Sequence, residues 1–191
     1  MTSKLIVPSS DLMLAGRRTF VASGMLSAAA VALLGGQDAL AAKSKAGAQG
    51  DVDILNAALG AELQAIAAYQ VGAESGLLSA GVKPVALEFQ GHHKAHADVL
   101  AGTVRKLGGR PVAAKPKYDF PLQQLKNQSD VLQFAAGLEK GAVSAYLAAV
   151  PRFADRALSQ AAASILGDEA MHWAVLRQVL GERPVPSAFV G

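Results

Sequence analysis

The sequence has no cysteine in its 191 residues. That one absence excludes disulfides, thiolate zinc sites, iron–sulfur clusters and cysteine nucleophiles, and it leaves the redox compartment unreadable from thiols. Aromatic residues are scarce at 5%, while 51% of the chain is hydrophobic, a composition that predicts a single Ala-rich helical domain. Charge of one sign is missing too, with 18 basic residues against 15 acidic. So mild and scattered a surplus excludes a nucleic-acid-binding surface. No long hydrophobic run is present either: the most apolar stretch, Val21 to Leu34, is rich in Gly, Ala and Ser and falls short of the ~20 residues that span a membrane.

That short stretch has a different reading. Gly16-Arg17-Arg18-Thr19-Phe20-Val21 precedes it and Ala39-Leu40-Ala41 follows it, the order of a twin-arginine-type signal peptide with a small-residue cleavage site. Residues 1–41 are therefore expected to be an export signal and residues 42–50 a linker, with a bundle domain over 51–191. Cleavage removes Lys4, Arg17 and Arg18 with Asp11 and Asp38, leaving 15 basic and 13 acidic residues. The expected location is the periplasm or another exported compartment, with no stable membrane span after cleavage.

Polar residues then appear where a helical bundle needs apolar ones. Leu55, Leu59, Glu62, Ile66 and Tyr69 follow the inward stripe of a packed helix, and so do Leu132, Ala136, Glu139, Val143, Tyr146 and Val150. Phe89, His93, His96, Leu100, Thr103 and Leu107 form a second-helix stripe, and Ile165, Glu169, His172, Leu176 and Val179 a fourth. Glu62, His93, His96, Glu139, Glu169 and His172 thus fall on core positions. A carboxylate buried in apolar surroundings costs several kcal/mol unless it is paired, protonated or bound to a cation. Three Glu and three His converging on one interior point to a metal.

Punctuation sets the helix limits. Asp51-Val52-Asp53 are suited to cap helix one, which is predicted to end near Ser75-Gly76; Pro84 suits the first turn of helix two, which ends at Gly108-Gly109. Pro111, Pro116 and Pro121 make Arg110 to Gln128 a long connection. Ser129 and Asp130 are expected to cap helix three, Pro151 to stop it, and helix four to run from about Asp155 to Leu180-Gly181. Two short connections flanking a long one describe a bundle with one crossover, in which helices two and three run in parallel.

The two halves repeat each other. Tyr69 follows Glu62 by seven residues and Tyr146 follows Glu139 by seven. His93-x-x-His96 aligns with Glu169-x-x-His172, His92 with Asp168, and Leu107-Gly108 with Leu180-Gly181. Each helical hairpin supplies one Glu from its first helix and an i, i+3 pair from its second, and the i, i+3 spacing places both side chains on one face.

These features make the chain resemble the ferritin-like superfamily, all-α four-helix bundles with one long crossover that hold a di-iron or related site. The opening Asp51 to Leu59 followed by Glu62 resembles an exported branch of that superfamily, to which desiccation-related proteins are similar. The resemblance implies Glu62 and Glu139 as single carboxylate ligands, Glu169 with His172 as a Glu-x-x-His pair, and His96 as the histidine of the other pair. His93 stands where the superfamily has a bridging glutamate. That weakens the expectation of a paired ferric site and favours one metal or an unequal pair. Candidate outer partners are Glu88, itself a candidate substitute ligand, and His92, Tyr69 and Tyr146, with the two tyrosines equally readable as core aromatics.

Iron is the expected metal, with manganese, zinc or copper compatible with the same donors. Ferroxidase or peroxidase chemistry on Fe²⁺, dioxygen or peroxide is one expectation for function. Metal sequestration without turnover is a second, and a metal-free structural or stress protein with Glu–His pairs in its core is a third. Met171, the one methionine after cleavage, faces away from the Glu169–His172 seam and offers no haem ligand. A monomer or small homo-oligomer is expected rather than a storage shell.

Overall fold

A computed structural model of the chain describes residues 45–190, and the predicted signal at 1–41 lies outside the described residues. Four helices carry the fold: α1 (Lys45–Glu74), α2 (Lys83–Lys106), α3 (Gln128–Ala149) and α4 (Arg156–Val179). Short 3-10 turns occupy Leu122–Gln124 and Val150–Arg152, and no strand occurs among the described residues.

Helix directions follow from which residues meet. Glu62 and Ile66 of α1 face His93 and Gln90 of α2, and Glu62 and Tyr69 face Tyr146 and Glu139 of α3. In both pairs one residue number rises as the other falls, so α1 runs antiparallel to α2 and to α3. Helices α2 and α3 are therefore parallel, which is the arrangement expected of a bundle with one long crossover. The crossover starts tightly. Asn56 of α1 donates to the Arg110 carbonyl (3.0 Å) and accepts from the Val112 N–H (2.9 Å). A Cβ on Gly109 would meet Val52 Cγ1 at 2.7 Å, so only glycine lets the chain leave α2 this close to α1.

Two boundaries differ from the sequence expectation. Helix α1 begins at Lys45, so residues 45–50, expected as linker, continue the helix; Gln49 Nε2 donates to Asp53 Oδ1 at 2.8 Å, and an added turn costs little once a helix is nucleated. Asp51 is consequently not the cap of α1. Buried at 2% exposure, it accepts from the N–H groups of Ala154 (2.7 Å) and Asp155 (3.2 Å), fastening the entry of α4 to α1. At α3 the cap is Asn127, whose side chain accepts from the Asp130 N–H while Asp130 accepts from the Asn127 N–H. This is a reciprocal capping box in which Asp130 has the third-position role, and Ser129 lies inside the first turn. Asp155 caps α4 by accepting from the Ala157 N–H at 2.8 Å.

Two apolar layers fill the bundle. Leu55, Leu59, Leu100, Val104, Leu158 and Ile165 anchor one, and Phe89, Leu132, Ala136 and Leu176 the other. Tyr146 belongs to the first and Tyr69 to the second. Their hydroxyls meet Glu62 and Glu139, so the polar residues lie between two layers that shut water out along the bundle axis. Most of the inward stripes are buried; Ile66, His96, Leu107 and Val150 are partly buried, and Val179 is 45% exposed at the end of α4.

Candidate metal centre

All six residues on the predicted seams come together. Glu62, His93, Glu139, Glu169 and His172 are no more than 2% exposed, and the His96 side chain is 14% exposed. His93 is central. Its Nδ1 lies 2.8 Å from Glu62 Oε2 and 3.5 Å from Glu169 Oε1, and its Nε2 lies 3.3 Å from Glu139 Oε1. His96 Nδ1 is 3.0 Å from Glu169 Oε1 and 3.5 Å from Glu62 Oε2. His172 Nδ1 is 3.5 Å from Glu169 Oε2 and 3.7 Å from Glu139 Oε2.

The donors sort into two groups of four. Glu62, His93, His96 and Glu169 form one, and His93, Glu139, Glu169 and His172 the other. The two groups share His93 and Glu169, one from each half of the repeat. Ligands about 2.0–2.2 Å from an ion are separated by roughly 2.8–3.6 Å along the edges of an octahedron or tetrahedron. The observed separations match that range, with the His172–Glu139 contact slightly beyond it.

A hydrogen-bond network alone leaves the cluster incomplete. Buried His96 Nδ1, His172 Nδ1, Glu139 Oε2 and both oxygens of Glu169 have no hydrogen-bond partner. Buried polar groups are nearly always satisfied, and each orphan costs about 1–3 kcal/mol. All five atoms belong to residues of the two four-donor groups, so the donor set fits a transition metal.

The tyrosines cross between halves. Tyr69 donates to Glu139 Oε1, and Tyr146 donates to Glu62 Oε1 at 2.6 Å. Each hydroxyl fixes the carboxylate of the opposite hairpin, and burial followed by the neighbouring carboxylate charge pushes both phenols well above their ordinary range. They are proton-bearing clamps at neutral pH.

Histidines and carboxylates shift one another's protonation throughout the cluster. Burial opposes protonation of the histidines, yet the surrounding carboxylates outweigh it and raise His93 to about 10, His96 to about 11 and His172 to about 9. Burial likewise opposes ionisation of Glu62, Glu139 and Asp168, and hydrogen bonds from the histidines outweigh it and hold all three low. Glu169 is the exception. Burial leads its shift, with Glu139 and Glu62 adding to it, and its carboxyl is raised. The raised His93, His96 and His172 thus face the lowered Glu62, Glu139 and Asp168.

Of the candidate outer partners, Tyr69 and Tyr146 touch the cluster and Glu88 does not. Glu88 is exposed, because Phe89 takes the inward position and stacks on His172 with ring centroids 4.1 Å apart. Eight residues before His96, Glu88 also sits about 12 Å along the helix from it. His92 is half-buried against His172 and Asp168. Asp168 is the residue that the sequence reading missed as a site residue. Its Oδ2 lies 3.3 Å from both His96 Nε2 and His172 Nε2, so one carboxylate orients the outer edges of histidines from both hairpins. Its place four residues before His172 signals contact with that ring alone, not with His96.

Fold and cluster together define a four-helix bundle with one long crossover and an interior carboxylate–histidine centre. The family profile of the ferritin-like domain matches residues 50–182, and the chain belongs to that family. Two solved structures share the fold. The conserved protein rv2844 of Mycobacterium tuberculosis is 24% identical with a TM-score of 0.65, over 76% of this chain and 99% of that one. A ferritin-like, diiron-carboxylate protein of Bacillus anthracis strain Ames is 21% identical with a TM-score of 0.60, over 70% and 97% of the two chains. No protein of curated function matches this chain.

Proposed function

We propose that this chain is an exported metal-binding protein whose interior centre takes up a first-row transition metal, iron foremost. The observation that carries the reading is the set of five buried, unsatisfied donor atoms converging between the apolar layers. Export rests on the Arg17-Arg18 motif and the Ala39-Leu40-Ala41 site. No helix among the described residues is long and apolar enough to cross a membrane. The diiron-carboxylate relative supports iron among the metals these donors suit.

A bound iron would supply redox chemistry toward ferrous ions, dioxygen or peroxide. The chain's own contribution is electrostatic and steric. Glu62 and Glu139, clamped by Tyr146 and Tyr69, hold anionic oxygens at fixed points, and the apolar layers keep water from competing for them. His96 and His172 offer Nδ1 inward while Asp168 faces their Nε2 edges, which selects the tautomer with an inward lone pair.

Metal buffering without turnover is the second reading, and His93 favours it. A neutral imidazole has one lone pair, so His93 serves the group containing Glu62 or the group containing Glu139, but not both. A bridging carboxylate has no such restriction. One tightly held ion per chain is the consequence, and a single ion is better suited to holding than to paired-metal chemistry.

Elemental mass spectrometry on the purified protein tests the proposal beside Glu169→Ala, which removes the carboxylate common to both four-donor groups. About one metal per chain, lost in the variant, is expected. Equal metal content in the two proteins overturns the assignment. Peroxide and ferrous-oxidation assays on the loaded protein then separate redox activity from buffering.

A further inference from the structure

Outside the interior cluster lies a second set of donors that it does not use. Asp168 Oδ2 is 3.2 Å from His92 Nδ1 and 3.3 Å from His172 Nε2, and those two nitrogens are 2.8 Å apart. The three side chains offer one oxygen and two nitrogens within 4.8 Å of one another, again spaced like the edges of a coordination shell. Hydrogen bonding serves this arrangement poorly. One carboxylate oxygen faces three ring nitrogens, since His96 Nε2 is also 3.3 Å away, and each N–H of His92 or His172 has two acceptors competing for it.

Exposure gives the set a direction. Side-chain exposure falls from 42% at His92 to 23% at Asp168, 2% at His172 and 0% at Glu169. The trio therefore spans the step from solvent to the buried centre. His172 belongs to both sides, with Nε2 toward Asp168 and Nδ1 toward Glu139 and Glu169.

We propose that His92, Asp168 and the Nε2 edge of His172 form a separate entry site, which holds an arriving divalent first-row cation before it is buried at the Nδ1 edges of His172 and His96. This rests on the metal-binding reading above. Two imidazoles and one carboxylate suit such cations, and three protein donors leave positions for water. The hold is loose, as transit requires. His172 makes it self-clearing: a neutral ring presents its lone pair outward or inward, not both, so filling the inner position withdraws the outer ligand.

Cobalt(II) chloride is a direct probe, with the visible absorption of the buried ion followed by stopped-flow mixing with the full protein. His92→Ala is expected to take up the same final amount as the unaltered protein, which shows that fold and inner centre are intact, but about tenfold more slowly. His92→Phe keeps a ring against Phe89 and His172 while removing the nitrogen, and is expected to be equally slow. An unchanged or faster rate in either variant overturns the entry site. If the unaltered protein retains no cobalt at all, the metal-binding reading falls and the entry site with it, an outcome distinct from normal filling at an unchanged rate.

Discussion

Each metal ion taken up by this protein should release two protons. At neutral pH His93, His96 and His172 carry protons because their values are raised to about 10, about 11 and about 9. Each of the two four-donor groups contains two of these rings, His93 with His96 or His93 with His172. An ion entering either group must therefore displace two protons, and linkage makes the apparent association constant rise with a slope of about two decades per pH unit. Between pH 6 and pH 8 the affinity for zinc or cobalt should climb about 10⁴-fold. A site built from histidines near 6.5 would flatten above about pH 7, so the interval from pH 7 to 8.5 decides.

Isothermal titration calorimetry in buffers of different ionisation enthalpy counts the protons directly. A count below one per ion between pH 7 and 8.5 refutes the reasoning, because it means that the rings are already neutral. The metal-free protein should show the reverse trend in stability. Its raised histidines stabilise the fold fully below about 6.5 and lose that contribution as pH rises through about 9–11, while the lowered Glu62, Glu139 and Asp168 contribute above about pH 4.5 and lose it below. Urea midpoints in chelator should therefore peak between about pH 5 and 6.5, whereas those of the loaded protein should keep rising toward pH 8.

Two substitutions separate the clamps from the shared ring. Tyr146→Phe removes the donor 2.6 Å from Glu62 Oε1; it should cost about 1.5–3 kcal/mol in urea unfolding of the metal-free protein and weaken metal binding by about 10–100-fold. An unchanged unfolding midpoint would show that the hydroxyl is incidental. His93→Glu should lower the stability of the metal-free protein, because it sets a carboxylate against Glu62, Glu139 and Glu169, and should raise metal content to about two per chain by elemental analysis. Metal content that stays at one would exclude His93 as the limiting ligand.

The sequence was most legible where periodicity and repetition coincide. The stripes through Glu62, His93, Glu139 and Glu169 gave buried residues because a bundle helix has one inward face, and the seven-residue Glu-to-Tyr spacing in both halves marked the two tyrosines but not that each hydroxyl reaches the carboxylate of the other hairpin. Helix ends were less legible. Asp51 has the chemistry of a cap, and it does satisfy a chain entry, but that of α4, more than a hundred residues away in sequence. Glu88 failed as a partner because its distance along the helix outweighs its charge. Asp168 was hidden for the opposite reason: its role depends on two histidines from different hairpins meeting at one oxygen, which no spacing within a single helix reveals.

The repeat also explains why His93 is tolerated. Equivalent positions of the two hairpins approach each other across the pseudo-twofold axis, so His93 meets its counterpart Glu169 at 3.5 Å and His92 meets its counterpart Asp168 at 3.2 Å. Had both halves kept the Asp-Glu pair seen at Asp168-Glu169, each contact would set carboxylate against carboxylate, and the buried pair would need a cation or a shared proton to exist. Histidine in one half converts both contacts into acid–base pairs. On the metal-binding reading, the asymmetry of an otherwise repeated frame gives up a bridging ligand in exchange for acid–base pairs that need no cation to hold the two hairpins together.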